Sequence, residues 1–150
     1  MNHQIAFSDE QAMLLETAAD FCRKHSPIET VRASLNADQI DAETWQQLTE
    51  LGWLGINVAE EFGGLGLGLS CVVPVAESMG RYLMGSPYSG AIIVSECLAT
   101  SGTRGQKEEW LPKIVNGAIG SMGLTETNGS WLLNAIEAQA VVQEDVLELS

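Results

Sequence analysis

SPYSGAIIVSECLA, residues 86–99, carries a single charged side chain, Glu96, among residues that are otherwise almost all apolar or small. A helix that is apolar nearly all round is one that other elements surround. A helix over residues 87–100 therefore predicts the centre of an α-helical domain. Ser89, Gly90 and Ala91 leave room there for either a neighbouring backbone or a ligand chain.

Upstream, the chain supplies helices to surround it. Ser8 with Gln11 forms a capping box, and Asp9 and Glu10 place negative charge at the positive end of the helix dipole. Leu14, Ala18, Phe21 and Cys22 recur at helical spacing, Arg23 and Lys24 close the last turn, and Pro27 blocks continuation, so a first helix is predicted over 9–24. Asp41 caps a second over 42–51, with Trp45, Leu48 and Leu51 on the inner side and Gly52 as terminator. A third is predicted over 69–83 from the stripe Leu69, Val72, Val73, Ala76, Gly80 and Leu83. Between the second and third, EEFGGLGLG (60–68) has the glycine density of a loop with special backbone angles and close approaches.

Downstream, Thr103 with Gln106 makes a second capping box for a fifth helix that carries Trp110 and Leu111 into Pro112. Proline cannot donate an i→i−4 bond, so Pro112 is read as opening a separate short turn that ends before Gly117. The character then changes. The segment 118–125 is short and apolar, a polar loop runs through Ser130, and 135–142 and 146–149 alternate as half-buried strands do. The predicted fold is mainly α, a helical domain over 1–117 followed over 118–150 by the first strands of an incomplete β domain. Two or three strands alone would leave exposed edges.

Composition bounds the function. With 45% hydrophobic and 18% charged residues the chain is globular rather than disordered. At 150 residues it is long enough for a real core. A formal charge of −13, from 20 acidic and 7 basic residues, repels phosphate backbones and argues against nucleic acid or an anionic membrane as partner. Cys22, Cys71 and Cys97 are widely spaced and read as small buried hydrophobes in a reducing compartment. Residues 1–9 lack the pattern of a secretory leader, and no apolar run reaches the length of a membrane span, so a cytoplasmic protein is expected.

Individual residues carry little chemistry by themselves. Cys22 and His25 have a metal-like interval but no second pair nearby. The glycine run fits neither GxGxxG nor GxxxxGK[ST]. Glu60 and Glu61 are adjacent and would point apart. Glu96, a carboxylate in an apolar helix, is either paired, shifted in pKa or on a wet edge. Thr125, Glu126, Thr127, Asn128 and Ser130 form the densest polar group, at the junction of helix and strand, where loops often carry binding residues.

The order of short segments is more specific. Glu61-Phe62-Gly63-Gly64-Leu65-Gly66, Trp110-Leu111-Pro112-Lys113-Ile114 with Gly117, Gly123-Leu124-Thr125-Glu126 and then Gly129-Ser130 together resemble the acyl-CoA dehydrogenase family across essentially the whole chain. The resemblance implies an amino-terminal helical domain leading into a β-barrel domain and a carboxy-terminal helical domain, with FAD between them. It implies flavin contacts from Leu124, Thr125 and Glu126, and contact of Ser130 with the FAD pyrophosphate or the CoA portion. Tyr88, Ser89, Gly90 and Ile93 would line the acyl cavity.

The implied reaction is α,β-dehydrogenation of an acyl-CoA thioester, part of fatty acid and lipid metabolism, with electron-transfer flavoprotein as acceptor and a dimeric or tetrameric assembly such as a homotetramer. The family's carboxylate base lies in the carboxy-terminal domain, so no catalytic residue and no metal is assigned here, and these 150 residues alone are expected to be inactive. Where the family usually reads Thr-Glu-Pro and then Gly-Ser-Asp, this chain has Thr127 for the proline, one residue fewer before Gly129, and Trp131 for the aspartate. That altered loop keeps open a second reading, a non-catalytic partner subunit or binding module. A third, a helical scaffold with no ligand, does not explain the order of matching segments.

Overall fold

The computed structural model describes residues 7–35, 41–143 and 146–149. Residues 1–6, the greater part of the stretch in which no leader was found, lie outside the described residues. Six helices are described: α1 (Asp9–His25), α2 (Ile28–Ser34), α3 (Ala42–Glu50), α4 (Val73–Arg81), α5 (Tyr88–Ser101) and α6 (Arg104–Val115). A two-stranded antiparallel sheet follows, β1 (Ala140–Gln143) and β2 (Val146–Leu149), with Ala140 opposite Leu149 and Gln143 opposite Val146.

Both capping boxes form. Ser8 Oγ accepts from the Gln11 N–H while the Gln11 side chain returns to Ser8, and Thr103 and Gln106 repeat the arrangement at α6. Asp41 caps α3 by accepting from the Glu43 and Thr44 N–H groups. α1 lies along α4, and α5 lies against α6. The turn Trp53–Gly55 sits between them with Trp53 and Leu54 buried, joined in the core by Ala18, Cys22, Leu48, Val75, Tyr88 and Ala91.

The glycine run is a packing device. Leu65, Gly66 and Leu67 donate their N–H groups to the carbonyls of Gly55, Val58 and Ile56 at 2.8–2.9 Å, so the loop lies flat along 55–59. A Cβ on Gly64 would stand 2.0 Å from the Val58 carbonyl oxygen, an approach only glycine allows.

Several expectations are corrected. α2 was not foreseen; none of its residues is buried, so it leaves no apolar stripe to read. The third predicted helix starts later, because Leu69–Cys71 is a 3₁₀ turn and the α-helix begins at Val73. The tighter winding of that turn shifts the phase of the inner face. Val72, Val75 and Met79 are buried, while Leu69, Leu83 and Val73, 53% exposed, face outward. Leu51 is exposed because it caps α3 after the helix has ended. Trp45, expected in the core, is only half-buried.

Pro112 does not open a separate turn. It lies inside α6, in the last turn, where one missing N–H costs little beside the anchoring of buried Leu111 and Ile114. Cys97 is exposed, unlike Cys22 and Cys71. Helix α5 is central on one side only: Ala91, Ile92 and Ser95 are buried, whereas Ile93 is 44% exposed. Of the stretch 135–142 only its end is strand, since Leu133–Ala135 forms a 3₁₀ turn.

Candidate functional site

The polar loop is carried on a segment pinned to the helical domain at three points. Gly117, with φ +98°, ends α6, and its carbonyl accepts a 2.9 Å hydrogen bond from Trp45 Nε1. Gly120 then crosses α5 so closely that a Cβ on Gly90 would lie 2.6 Å from the Gly120 carbonyl oxygen, and a Cβ on Gly120 would lie 3.2 Å from the Val94 side chain. Met122 Sδ rests 3.9 Å from Cys97 Sγ. The small residue Gly90 thus admits a neighbouring backbone.

From Ile119 to Asn128 no backbone N–H finds a partner among the described residues. Exposed peptide groups of this kind are bonded to water, a neighbouring strand or a ligand. Within this run stand Leu124, half-buried, and Thr125, exposed, with its hydroxyl unbonded among the described residues. The free N–H groups and the Thr125 hydroxyl are available to hydrogen-bond acceptors.

The loop beyond Thr125 is closed on itself. The Glu126 carboxylate accepts 2.8 Å bonds from the N–H groups of both Glu137 and Ala138, and these bonds hold it below the usual carboxylate range. The Gly129 N–H donates to the Glu126 carbonyl at 2.8 Å, with Gly129 at φ +66°. The Ser130 N–H donates to Asn128 Oδ1 at 2.9 Å, and Ser130 Oγ accepts from the Leu132 N–H at 3.2 Å. The Ser130 hydroxyl proton is what is left to offer an anionic oxygen. Trp131, standing where an aspartate was expected, is 78% exposed.

On α5 the expected acyl-cavity residues divide. Ser89 and Ile93 are on the exposed face. Tyr88 is buried, its hydroxyl has no hydrogen-bond partner among the described residues, and burial raises its pKa. Where α5 meets the crossing segment there is a shallow cavity of about 370 Å³ lined by Val94, Cys97, Leu98 and Ser101 on one side and Ser121 and Met122 on the other. A larger hollow of about 610 Å³ opens at the other end, between His25, Val31, Trp45 and Met84, away from the polar loop.

Other candidate groups serve the fold. Glu96 is half-buried and accepts a 2.9 Å bond from Asn57 Nδ2, the same amide that approaches Ser95 Oγ at 3.3 Å. Cys22 Sγ lies 3.8 Å from Met84 Sδ, and burial pushes its pKa up to about 11. The His25 ring stacks on Phe21 at 4.4 Å. Among the described residues no three His, Cys, Asp or Glu side chains converge as metal ligands, and no helix is long and apolar enough to cross a membrane. Sequence reasoning missed the Glu137–Ala138 amide pair and the Trp45–Gly117 anchor. Bonds between residues far apart along the chain leave no local pattern.

Residues 8–118 match the family described as Acyl-CoA dehydrogenase, N-terminal domain. Acryloyl-CoA reductase (NADH) of Anaerotignum propionicum is 31% identical over 144 residues, covering 93% of this chain and 36% of that protein. Mitochondrial isovaleryl-CoA dehydrogenase of Pongo abelii is 34% identical over 139 residues, covering 81% and 30% respectively. A solved steroid ACAD variant superposes with a TM-score of 0.85 at 28% identity, over 95% of this chain and 39% of that one. Butyryl-CoA dehydrogenase of Megasphaera elsdenii gives a TM-score of 0.73 at 25% identity, over 95% and 39%. The chain thus spans 36% and 30% of the lengths of these two curated relatives.

Proposed function

The chain belongs to the acyl-CoA dehydrogenase family, and from that premise we propose that it forms one wall of the active site of an FAD-dependent acyl-CoA dehydrogenase. In this reading residues 1–117 are the helical domain and 118–150 begin the middle β domain. The observation that carries it is the run of backbone N–H groups from Ile119 to Asn128 that find no partner among the described residues, on a segment laid across α5 and bearing the exposed Thr125 hydroxyl.

FAD, when bound, supplies the hydride acceptor for α,β-dehydrogenation of the thioester. The residues of this chain bind and orient. The backbone groups of Leu124, Thr125 and Glu126 and the Thr125 hydroxyl would hold the isoalloxazine ring, where a fixed donor stabilises negative charge as it develops. The Ser130 hydroxyl proton, unused within the loop, would be offered to the pyrophosphate or to the CoA portion. Ser89 and Ile93 present the open face of α5 to the acyl chain, while Tyr88 and Gly90 shape that face from beneath. No residue here is assigned as the base, and the carboxylate of Glu96 is already held by Asn57.

The reading extends to a cytoplasmic, oligomeric enzyme that passes electrons to electron-transfer flavoprotein. Trp131, in place of the expected aspartate beside Ser130, favours a second reading in which the protein is a partner subunit without flavin. Purification of the full-length protein separates the two. A flavin absorbance spectrum that bleaches with an acyl-CoA supports the enzyme, and a colourless protein that forms a stable complex with a flavin-bearing homologue supports the subunit.

A further inference from the structure

We propose that the Glu126 side chain is a latch: by gripping the Glu137 and Ala138 amides it closes the loop that carries Ser130 and holds Thr125 and Ser130 in register, without touching a ligand itself. This rests on the flavin-site reading above and gives one of its residues a different task. The resemblance places Glu126 beside the flavin. In the structure both carboxylate oxygens are already engaged, one by each of two consecutive N–H groups, at 2.8 Å.

Most other bonds of the loop are local. Gly129 to Glu126, Ser130 to Asn128 and Leu132 to Ser130 each span two or three residues and shape turns, and Asn128 Nδ2 reaches the Ala135 carbonyl at 3.2 Å. Among the described residues the Glu126 bonds reach furthest, joining the start of the loop to the residues that lead into β1, with the Asn128–Ala135 bond a shorter bridge inside them. Those bonds span 11 and 12 residues, so they remove the freedom of the whole loop rather than of one turn. The lowered carboxylate pKa agrees with two N–H donors facing a charged acceptor. Glu126 is thus a positioning residue.

Chemistry dictates the variant. In Glu126→Gln the amide oxygen can accept from one N–H, but the amide NH₂ then meets the other N–H donor to donor. The side chain is half-buried within the loop and bonds only to residues outside the helices, so the helical domain should fold unchanged. The test uses the full-length protein and reads hydrogen exchange at the Glu137 and Ala138 amides together with flavin affinity by fluorescence titration. In the parent protein these two amides should exchange slowly, and in Glu126→Gln they should exchange roughly tenfold faster, with flavin held several-fold more weakly. Thr125→Val should weaken flavin and leave the two amides protected.

Unchanged protection in Glu126→Gln would overturn the latch and leave the flavin reading standing. Faster exchange with unchanged flavin affinity would overturn its positioning role. A parent protein that binds no flavin would overturn the flavin reading and the positioning role with it, even with the two amides protected.

Discussion

Gly90 on α5 lies directly beneath Gly120 on the segment that leaves the helical domain: a Cβ on Gly90 would stand 2.6 Å from the Gly120 carbonyl oxygen. The contact sets how closely the loop-bearing segment approaches α5, and so where Thr125 emerges. Gly90→Ala should push the segment outward and cost about 1–3 kcal/mol, the usual penalty for overpacking. Gly80→Ala, in α4 with nothing within 4 Å of the added carbon, should be neutral or slightly stabilising. Urea unfolding of both variants checks this, and equal stability would remove the contact from the account.

The phase of α4 and the depth of α3 make a paired prediction. Leu48 is fully buried, so Leu48→Ala should cost about 2–5 kcal/mol. Val73 is 53% exposed, and Val73→Ala should fall within about 0.5 kcal/mol of the parent. The shift of unfolding midpoint for the two variants is the measurement.

Thiol labelling should distinguish the cysteines. Cys97 is exposed on α5, while Cys22 and Cys71 are buried and burial pushes Cys22 up to about 11. Under native conditions at mildly alkaline pH a maleimide should modify Cys97 rapidly and the other two only after unfolding. Mass spectrometry of the labelled peptides reads the result, and early labelling of Cys22 would contradict the described core.

The Glu126 carboxylate gives a pH prediction of definite sign. Its pKa is lowered in the folded loop by the Glu137 amide and then the Ala138 amide. Its contribution to loop closure is therefore present above the ordinary carboxylate range and lost as pH falls through the depressed value. The amide chemical shifts of Glu137 and Ala138 should titrate together, with a midpoint below the ordinary glutamate value of about 4.3. A midpoint at or above that value would show that the two bonds do not hold the charged form.

Much of the helical domain is legible in the sequence because its boundaries are local. Ser8 with Gln11, Thr103 with Gln106, and Asp41 each bond within their own first turn, and those three helix starts match the structure. What escapes depends on partners distant in sequence. The apolar composition of α5 predicts burial all round, yet the side carrying Ile93 stays open and the crossing at Gly120 covers another part. The stripe on α4 is out of phase because a 3₁₀ turn precedes it. At the proposed site, Thr125 and Ser130 come from the resemblance alone, while the grip of Glu126 on residues more than ten positions away has no periodic signature.

Whether this loop faces a flavin through Thr125 is decided by stopped-flow reduction of the flavin in the full-length protein by an acyl-CoA. Thr125→Val keeps the shape of the side chain and removes its hydrogen bond. A neutral hydrogen bond contributes about 0.5–1.5 kcal/mol net, so FAD should still bind, somewhat more weakly. The reduction rate should fall by roughly tenfold or more, because the bond strengthens as charge develops on the acceptor. Thr127→Val, two residues on and exposed, should reduce at the parent rate. Equal rates for the parent and Thr125→Val would contradict the claim and return the loop to a structural role.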